Sequence, residues 1–520
     1  MAAVVFALVG LVVLALLGAV HRYLWRRFVG DTTAPGSPLR RAGTVAAFVL
    51  PLLSIGAMTS GRVGAPFWLQ QVLAWPGFLW LACLLYLTLA LLVGEVVRPV
   101  LLRVLARRDG ATPGAGAPAV PEPATAGPAG ESGTATGTAT GTATGTPADA
   151  PDGTRPRTEE LVPSHSAGAS TRPEAAGRTA TESVTESVTG PVAGSVTKPA
   201  TDPVAEPATE PGRERETEPA AGPLAGSASA PATTLAPATT LAPAPGPSRR
   251  LFVSRVVGGA AAAAGLATVG YGTYGVLRGP SVRRITVPLA KLPRAAHGFR
   301  IAVVSDIHIG PILGRAHTRR IVDTINATSP DLVAVVGDLV DGSVADLGSA
   351  AEPLSALRAR HGSFFVTGNH EYFSGAAQWV DHVRELGLHP LENARVEIEG
   401  FDLAGVNDIA GESEGQGPDF GRALGDRDRG RAAVLLAHQP VVIHDAVEHG
   451  VDLQLSGHTH GGQLWPGNFL AELANPTVAG LERYGDTQLF VSRGAGAWGP
   501  PVRVGAPSDI TVVELASRQA

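Results

Sequence analysis

The chain has 520 residues, and its 41 Lys and Arg against 46 Asp and Glu leave a net charge of −5. Spread over that length, such a charge gives no argument for nucleic acid, and none is expected as a partner. The single cysteine, Cys83, lies in an apolar run and excludes an intramolecular disulfide.

Residues 2–21 form an apolar run without charge, long enough to cross a ~30 Å hydrocarbon core as a helix. Further apolar runs lie at 44–58 and 78–97, the last with one acid, Glu95, near its end. Runs so close together, separated by short arginine-bearing loops, read as membrane helices rather than core helices, and residues 1–108 are expected to be a three-helix transmembrane region. The first run lacks the basic n-region and clear cleavage site of a signal peptide. From 109 to 247 the chain is Pro, Ala, Thr, Gly and Glu, with near-repeats such as TATGTATGTATG at 134–145. It has too little apolar surface to offset chain entropy and is expected to be a disordered linker.

Residues 248–283 place Arg249 and Arg250 before an Ala/Gly-rich stretch at 256–276. The pattern resembles a twin-arginine export signal, and it equally fits a fourth membrane helix whose arginines obey the positive-inside rule. Glycines at 258, 259, 265, 270, 272 and 275 count against helix formation. Arg22, Arg26, Arg27, Arg40 and Arg41 put the first loop in the cytoplasm, as Arg98, Arg103, Arg107 and Arg108 do for the end of the third helix. The fourth segment would then deliver residues 284–520 to the extracytoplasmic face of the cell membrane.

That last region alternates short β-branched runs with helical patterns, the signature of an α/β architecture. Strands are expected at 301–304, 332–336, 364–366, 403–406, 434–436, 453–455, 489–491 and 510–513, and helices at 315–327, 351–360, 377–386 and 441–449.

Five motifs fall just past the carboxyl ends of expected strands, where open α/β sheets bind their ligands. They are Asp306-Ile307-His308, Gly337-Asp338, Gly368-Asn369-His370-Glu371, His438 and Gly457-His458-Thr459-His460. Every donor is Asp, Asn or His, a set suited to two divalent cations such as Mn, Fe or Zn. Two such ions can clamp the attacking and leaving oxygens of a displacement at phosphorus. Any one motif alone is more often incidental than catalytic. Their joint occurrence in this order reverses that weighting.

The set resembles the calcineurin-like metallophosphoesterase superfamily. The run Gly457-His458-Thr459-His460-Gly461-Gly462-Gln463, with Ala437-His438-Gln439-Pro440 and Asn475-Pro476, resembles its branch of membrane-associated phosphodiesterases. The resemblance implies a two-sheet β-sandwich flanked by helices. It also implies that Asp306, His308 and His460 hold one metal, that Asn369, His438 and His458 hold the other, and that Asp338 bridges them. A hydroxide shared by the metals would be the nucleophile, and His370 would serve the leaving oxygen. A phosphodiester on a lipid or envelope molecule is the expected substrate, with a phosphomonoester or a non-catalytic metal-binding scaffold as alternatives. The protein-phosphatase branch has an arginine where this chain has Gly342.

Other residues carry weaker signals. Glu371 reads first as a helix-start acid and second as a residue that orients a ligand, and Asp341 could do likewise. Arg493 reads equally as a phosphate-oxygen ligand and as a surface arginine. His317, His361, His382, His389, His444 and His449 read as solvated. The stretch 411–431 reads as a mobile loop, and 464–484, with Trp465, Phe469, Leu470 and Leu473, first as a loop packed over the sheet edge and second as an apolar rim that receives a lipid tail or lies on the bilayer.

Overall fold

The computed structural model describes residues 2–110 and 248–519. The expected linker therefore lies outside the described residues, apart from Asp109 and Gly110 at the end of a helix. Four helices come first: α1 (Ala2–Trp25), α2 (Pro38–Thr59), α3 (Phe67–Gly110) and α4 (Arg249–Leu277). Pro38 starts α2 where its missing N–H costs nothing, and the Ser37 hydroxyl caps it by accepting from the Arg40 amide. Within the described residues, α2, α3 from Phe67 to Arg108, and α4 are long and apolar enough to cross a membrane.

The glycines that argue against α4 as an isolated helix let it approach α3 closely. A Cβ on Gly265 would sit 2.8 Å from the Leu87 side chain. Small residues at such crossings are how helices pack where no hydrophobic effect drives them together. One level of the bundle is charged: Arg27 pairs with Asp31 at 3.0 Å and Glu95 at 2.6 Å, Arg98 donates to Ser254 at 3.0 Å, and Arg255 donates to the Thr32 carbonyl at 3.1 Å.

The remaining chain builds two sheets. The strands are β1 (Ser281–Leu289), β2 (Phe299–Val304), β3 (Leu332–Val336), β4 (Ser363–Val366), β5 (His389–Pro390), β6 (Ala394–Ile398), β7 (Phe401–Gly405), β8 (Ala432–Leu436), β9 (Leu453–Ser456), β10 (Gly480–Tyr484), β11 (Thr487–Val491) and β12 (Asp509–Ser517). The first sheet runs β1-β12-β2-β3-β4-β5 and the second β10-β11-β9-β8-β7-β6. β2, β3 and β4 are parallel, as are β7, β8, β9 and β11. Alternate residues explain the layering. Ile301, Val303, Ala334, Val336, Leu403, Val434 and Leu455 meet between the sheets. Their neighbours Ala302, Val304, Val333 and Val335 face helices through Ile321, Ile325 and Trp379. Central strands buried on both faces read as continuous apolar runs.

Two local expectations change. The helix expected at 351–360 lies instead at Val344–Ala351, capped by Ser343, and turns 3-10 over Glu352–Ala356, because Pro353 cannot continue an α-helical ladder. The stretch expected to be mobile holds the helix Phe420–Leu424, whose Phe420, Ala423 and Leu424 are buried.

Candidate metal centre

Asp306 follows β2, Asp338 follows β3, Asn369 follows β4, His438 follows β8, and His458 and His460 follow β9. Both sheets are parallel here, so all these ends point to one edge of the sandwich. The loops that carry them are strained. Asp306, His308, Asp338, His458 and His460 have φ of 51°, 48°, 52°, 73° and 53°, left-handed backbone that non-glycine residues rarely adopt. Strain of this kind persists where surrounding structure over-determines it and clusters at functional sites.

Besides His308, Asp341 and His370, which also cluster, the side chains of the motif ligands converge in two groups. Asp306, His308 and His460 could hold one metal ion, and Asp338, His438 and His458 another. In the first, His460 Nε2 lies 3.3 Å from Asp306 Oδ1 and 3.0 Å from His308 Nε2. In the second, His438 Nε2 lies 3.2 Å from Asp338 Oδ2. The same Asp338 oxygen is 3.8 Å from His308 Nε2, so it stands between the groups. Asn369 Oδ1 lies 3.0 Å from His458 Nδ1 and joins the second.

The hydrogen bonds around His438 test whether a cation fits. Its Nδ1 lies 2.9 Å from the Val336 carbonyl, which can only accept, so Nδ1 carries the proton. In the neutral ring the buried Nε2 then presents a lone pair, meets no well-aligned hydrogen-bond partner among the described residues, and faces the Asp338 carboxylate. His308 Nδ1 likewise lies 2.8 Å from Asp341 Oδ1, and its Nε2 lies 3.0 Å from His460 Nε2. A buried imidazole nitrogen facing a buried carboxylate calls for a positive charge between them, either a proton or a metal ion. Burial pushes the Asp338 carboxyl up, but His438, His308 and His370 outweigh it and hold it well below the usual range. Burial likewise pushes His308 down, but Asp341, Asp338 and Asp306 outweigh it and raise it to about 9, a field that favours any cation. Burial drives His458 down to about 4, helped by His438, which suits a neutral ligand.

Three residues outside the motif ligands organise the site. Asp341 Oδ1 accepts from His308 Nδ1 and also lies 2.7 Å from His370 Nδ1. Glu371 caps its own helix by accepting from the Gly368 amide at 2.6 Å, and it also accepts from the amides of Asp338 and Leu339 at 3.0 and 2.8 Å. It therefore ties two ligand loops together, more than a helix-start acid does. Arg503, which no motif marks, is buried and donates to the carbonyls of His460, Gly496 and Ala506. Arg493 pairs with Asp509 at 3.4 Å. His317, expected in solvent, is only 2% exposed, and burial lowers it to about 4. Gly368 has no room for a side chain, since a Cβ would lie 2.5 Å from the Asp338 nitrogen.

The calcineurin-like phosphoesterase family model matches residues 299–462, a span that contains all of these motif residues. An uncharacterized metallophosphoesterase of Helicobacter pylori is 38% identical over 256 residues, which cover 48% of this chain and 68% of that protein. The chain belongs to the calcineurin-like phosphoesterase family. An uncharacterized metallophosphoesterase of Aquifex aeolicus is 34% identical, and the match covers 45% of this chain and 91% of that protein. A transmembrane protein with metallophosphoesterase domain from Danio rerio is 38% identical over 47% of this chain, which spans 59% of that relative's length. Residues 299–462 are thus a metallophosphoesterase domain, and phosphoester hydrolysis by divalent metals is the family's chemistry.

Proposed function

We propose that this chain is a multi-pass membrane hydrolase that cleaves a phosphodiester with two divalent cations. In this reading Asp306, His308 and His460 hold one cation, Asn369, His438 and His458 the other, and Asp338 both. The observation that carries it is the convergence of Asp338, His438 and His458 beside Asp306, His308 and His460, with Asp338 Oδ2 3.2 Å from His438 Nε2 and 3.8 Å from His308 Nε2. The donor set suits Mn, Fe or Zn. When bound, such a pair polarises the phosphoryl group and acidifies the attacking water.

The chain's own residues do the rest. Asp338 Oδ1 accepts from the His370 amide at 2.9 Å, which locks the β3 and β4 loops in register. Asp341 accepts from His370 Nδ1 and orients the ring, leaving Nε2 as the nitrogen that can deliver a proton to the leaving oxygen. Phe373 and Trp498 flank that ring edge-on at 5.5 and 5.8 Å. Gly342, in place of the protein-phosphatase arginine, favours a diester over a phosphoprotein, and the membrane helices favour a lipid or envelope substrate.

The charged level of the bundle supports the expected topology. Residues 27–32, 95–98 and 254–255 meet there, and these are the loop and helix ends that the arginine bias assigns to the cytoplasm. The phosphoesterase domain is then extracytoplasmic.

The test is hydrolysis of bis(p-nitrophenyl) phosphate against p-nitrophenyl phosphate by the purified chain in detergent, with Mn, Fe, Zn or Mg. A higher kcat/KM for the diester is expected. Preference for the monoester would replace this reading with a phosphomonoesterase of the same fold.

A further inference from the structure

The segment after His460 does not pack over the sheet edge as its sequence suggests. The helix Asn468–Ala474 buries none of its residues. Trp465, Phe469, Leu470 and Leu473 are 50%, 57%, 71% and 84% exposed, one contiguous stretch of large apolar side chains in a domain whose other apolar residues are mostly buried. Exposed apolar clusters of this kind mark an interaction surface.

The membrane helices identify what covers it. In α3, Gln70 and Gln71 precede an uninterrupted apolar stretch that ends at Gly94, before Glu95 and Arg98. At 1.5 Å per residue this stretch is long enough for a ~30 Å hydrocarbon layer. Tyr86 lies inside it, and its hydroxyl donates to the Trp465 carbonyl at 2.9 Å. Leu464, Val502 and Val504 pack with Ala82 and Tyr86 of α3 and with Val269 of α4. The backbone that carries the exposed residues is therefore fixed beside α3 at the depth of its apolar stretch. Water is not available at that depth, whereas acyl chains are.

We propose that Trp465, Phe469, Leu470 and Leu473 are seated among the acyl chains of the same bilayer that α2, α3 and α4 cross. The segment joins the site directly. Gln463 donates to the Trp498 carbonyl at 2.9 Å and accepts from the Trp498 amide at 3.0 Å, and Trp498 stands against His370. Anchoring this segment holds the mouth of the candidate metal centre against the lipid surface. On the phosphoesterase reading, that makes membrane phosphoesters the substrates within reach. The seating itself does not depend on that reading.

The experiment uses the full chain with Cys83→Ala, which removes its only cysteine. Leu470→Cys, Leu473→Cys and, as an exposed control at the opposite ends of the strands, Arg358→Cys are labelled with the polarity-sensitive fluorophore NBD. Each is reconstituted in phosphatidylcholine/phosphatidylglycerol vesicles, oriented with the domain outside. Leu470 and Leu473 labels should emit blue-shifted from the Arg358 label. They should lose most of their emission when the lipids carry a nitroxide on the acyl chain and resist added iodide, while the Arg358 label does the reverse. Quenching of the two leucine labels by iodide would overturn the proposal by showing the face in water. Protection from both quenchers would overturn it by showing the face against protein. None of these readouts requires catalysis.

Discussion

Replacing Asp341 by Asn should weaken metal binding and turnover together, although Asp341 is not among the proposed ligands. Its Oδ1 accepts from His308 Nδ1 at 2.8 Å and from His370 Nδ1 at 2.7 Å, and its carboxyl is held at about 2 because His308 and His370 outweigh burial. Asn keeps the shape and an acceptor oxygen but removes the charge. A hydrogen bond to a charged group contributes about 1.5–3 kcal/mol and a neutral one about 0.5–1.5, so each interaction should lose about 1–1.5 kcal/mol. At 1.4 kcal/mol per factor of ten, the His308 share should weaken one metal site about tenfold. The His370 share should lower kcat by a similar factor at saturating metal, within the ~10–100-fold range for residues that orient metal ligands. Calorimetric titration of the metal-free chain with Mn, followed by steady-state hydrolysis of bis(p-nitrophenyl) phosphate, separates the two. If Asp341→Asn matches the parent in both, Asp341 does not organise the site and the argument from its two hydrogen bonds is wrong.

His370→Ala should retain both metals while kcat falls about 10²–10⁴-fold, the usual share of a general acid, and metal analysis beside the rate checks both halves. Gly368→Ala should lose metal affinity because a Cβ there meets the Asp338 amide at 2.5 Å, whereas Gly314→Ala, with nothing within 4 Å and a φ of −100°, should leave metal content unchanged. Protease added to intact spheroplasts should remove the phosphoesterase domain, and protection until lysis would reverse the orientation.

What the sequence revealed divides along burial. Each strand expected from an apolar run, from β2 to β12, lies inside a sheet. The ones that escaped notice, β1, β5, β6 and β10, are the four sheet edges. Edge strands carry charge to discourage further pairing, and Arg283, Arg284, Glu397 and Arg483 blur the pattern that marks a strand. The motif residues were legible because glycines and polar donors interrupt apolar runs at fixed places. Arg503 was not, since an arginine near Pro501 gives no hint that the fold will bury it against His460. Its signal is three carbonyls and the His460 Nδ1 atom brought together by distant chain. His317 misled for the converse reason: its helix looked amphipathic, and only tertiary packing shows that its ring lies on the inner face. For the apolar residues around Phe469 the sequence left two readings open, a loop packed on the sheet edge or a rim against lipid, because burial in protein and burial in lipid leave the same mark.

The central claim is that one bridging carboxylate holds two metal ions at the ends of β2, β3, β4, β8 and β9. Elemental analysis of the purified full-length chain and of Asp338→Asn, after equal loading with Mn, tests it most directly. The account predicts two ions per parent chain, fewer than one in the variant, and loss of phosphoester hydrolysis with them. Two ions and full activity in Asp338→Asn would contradict it.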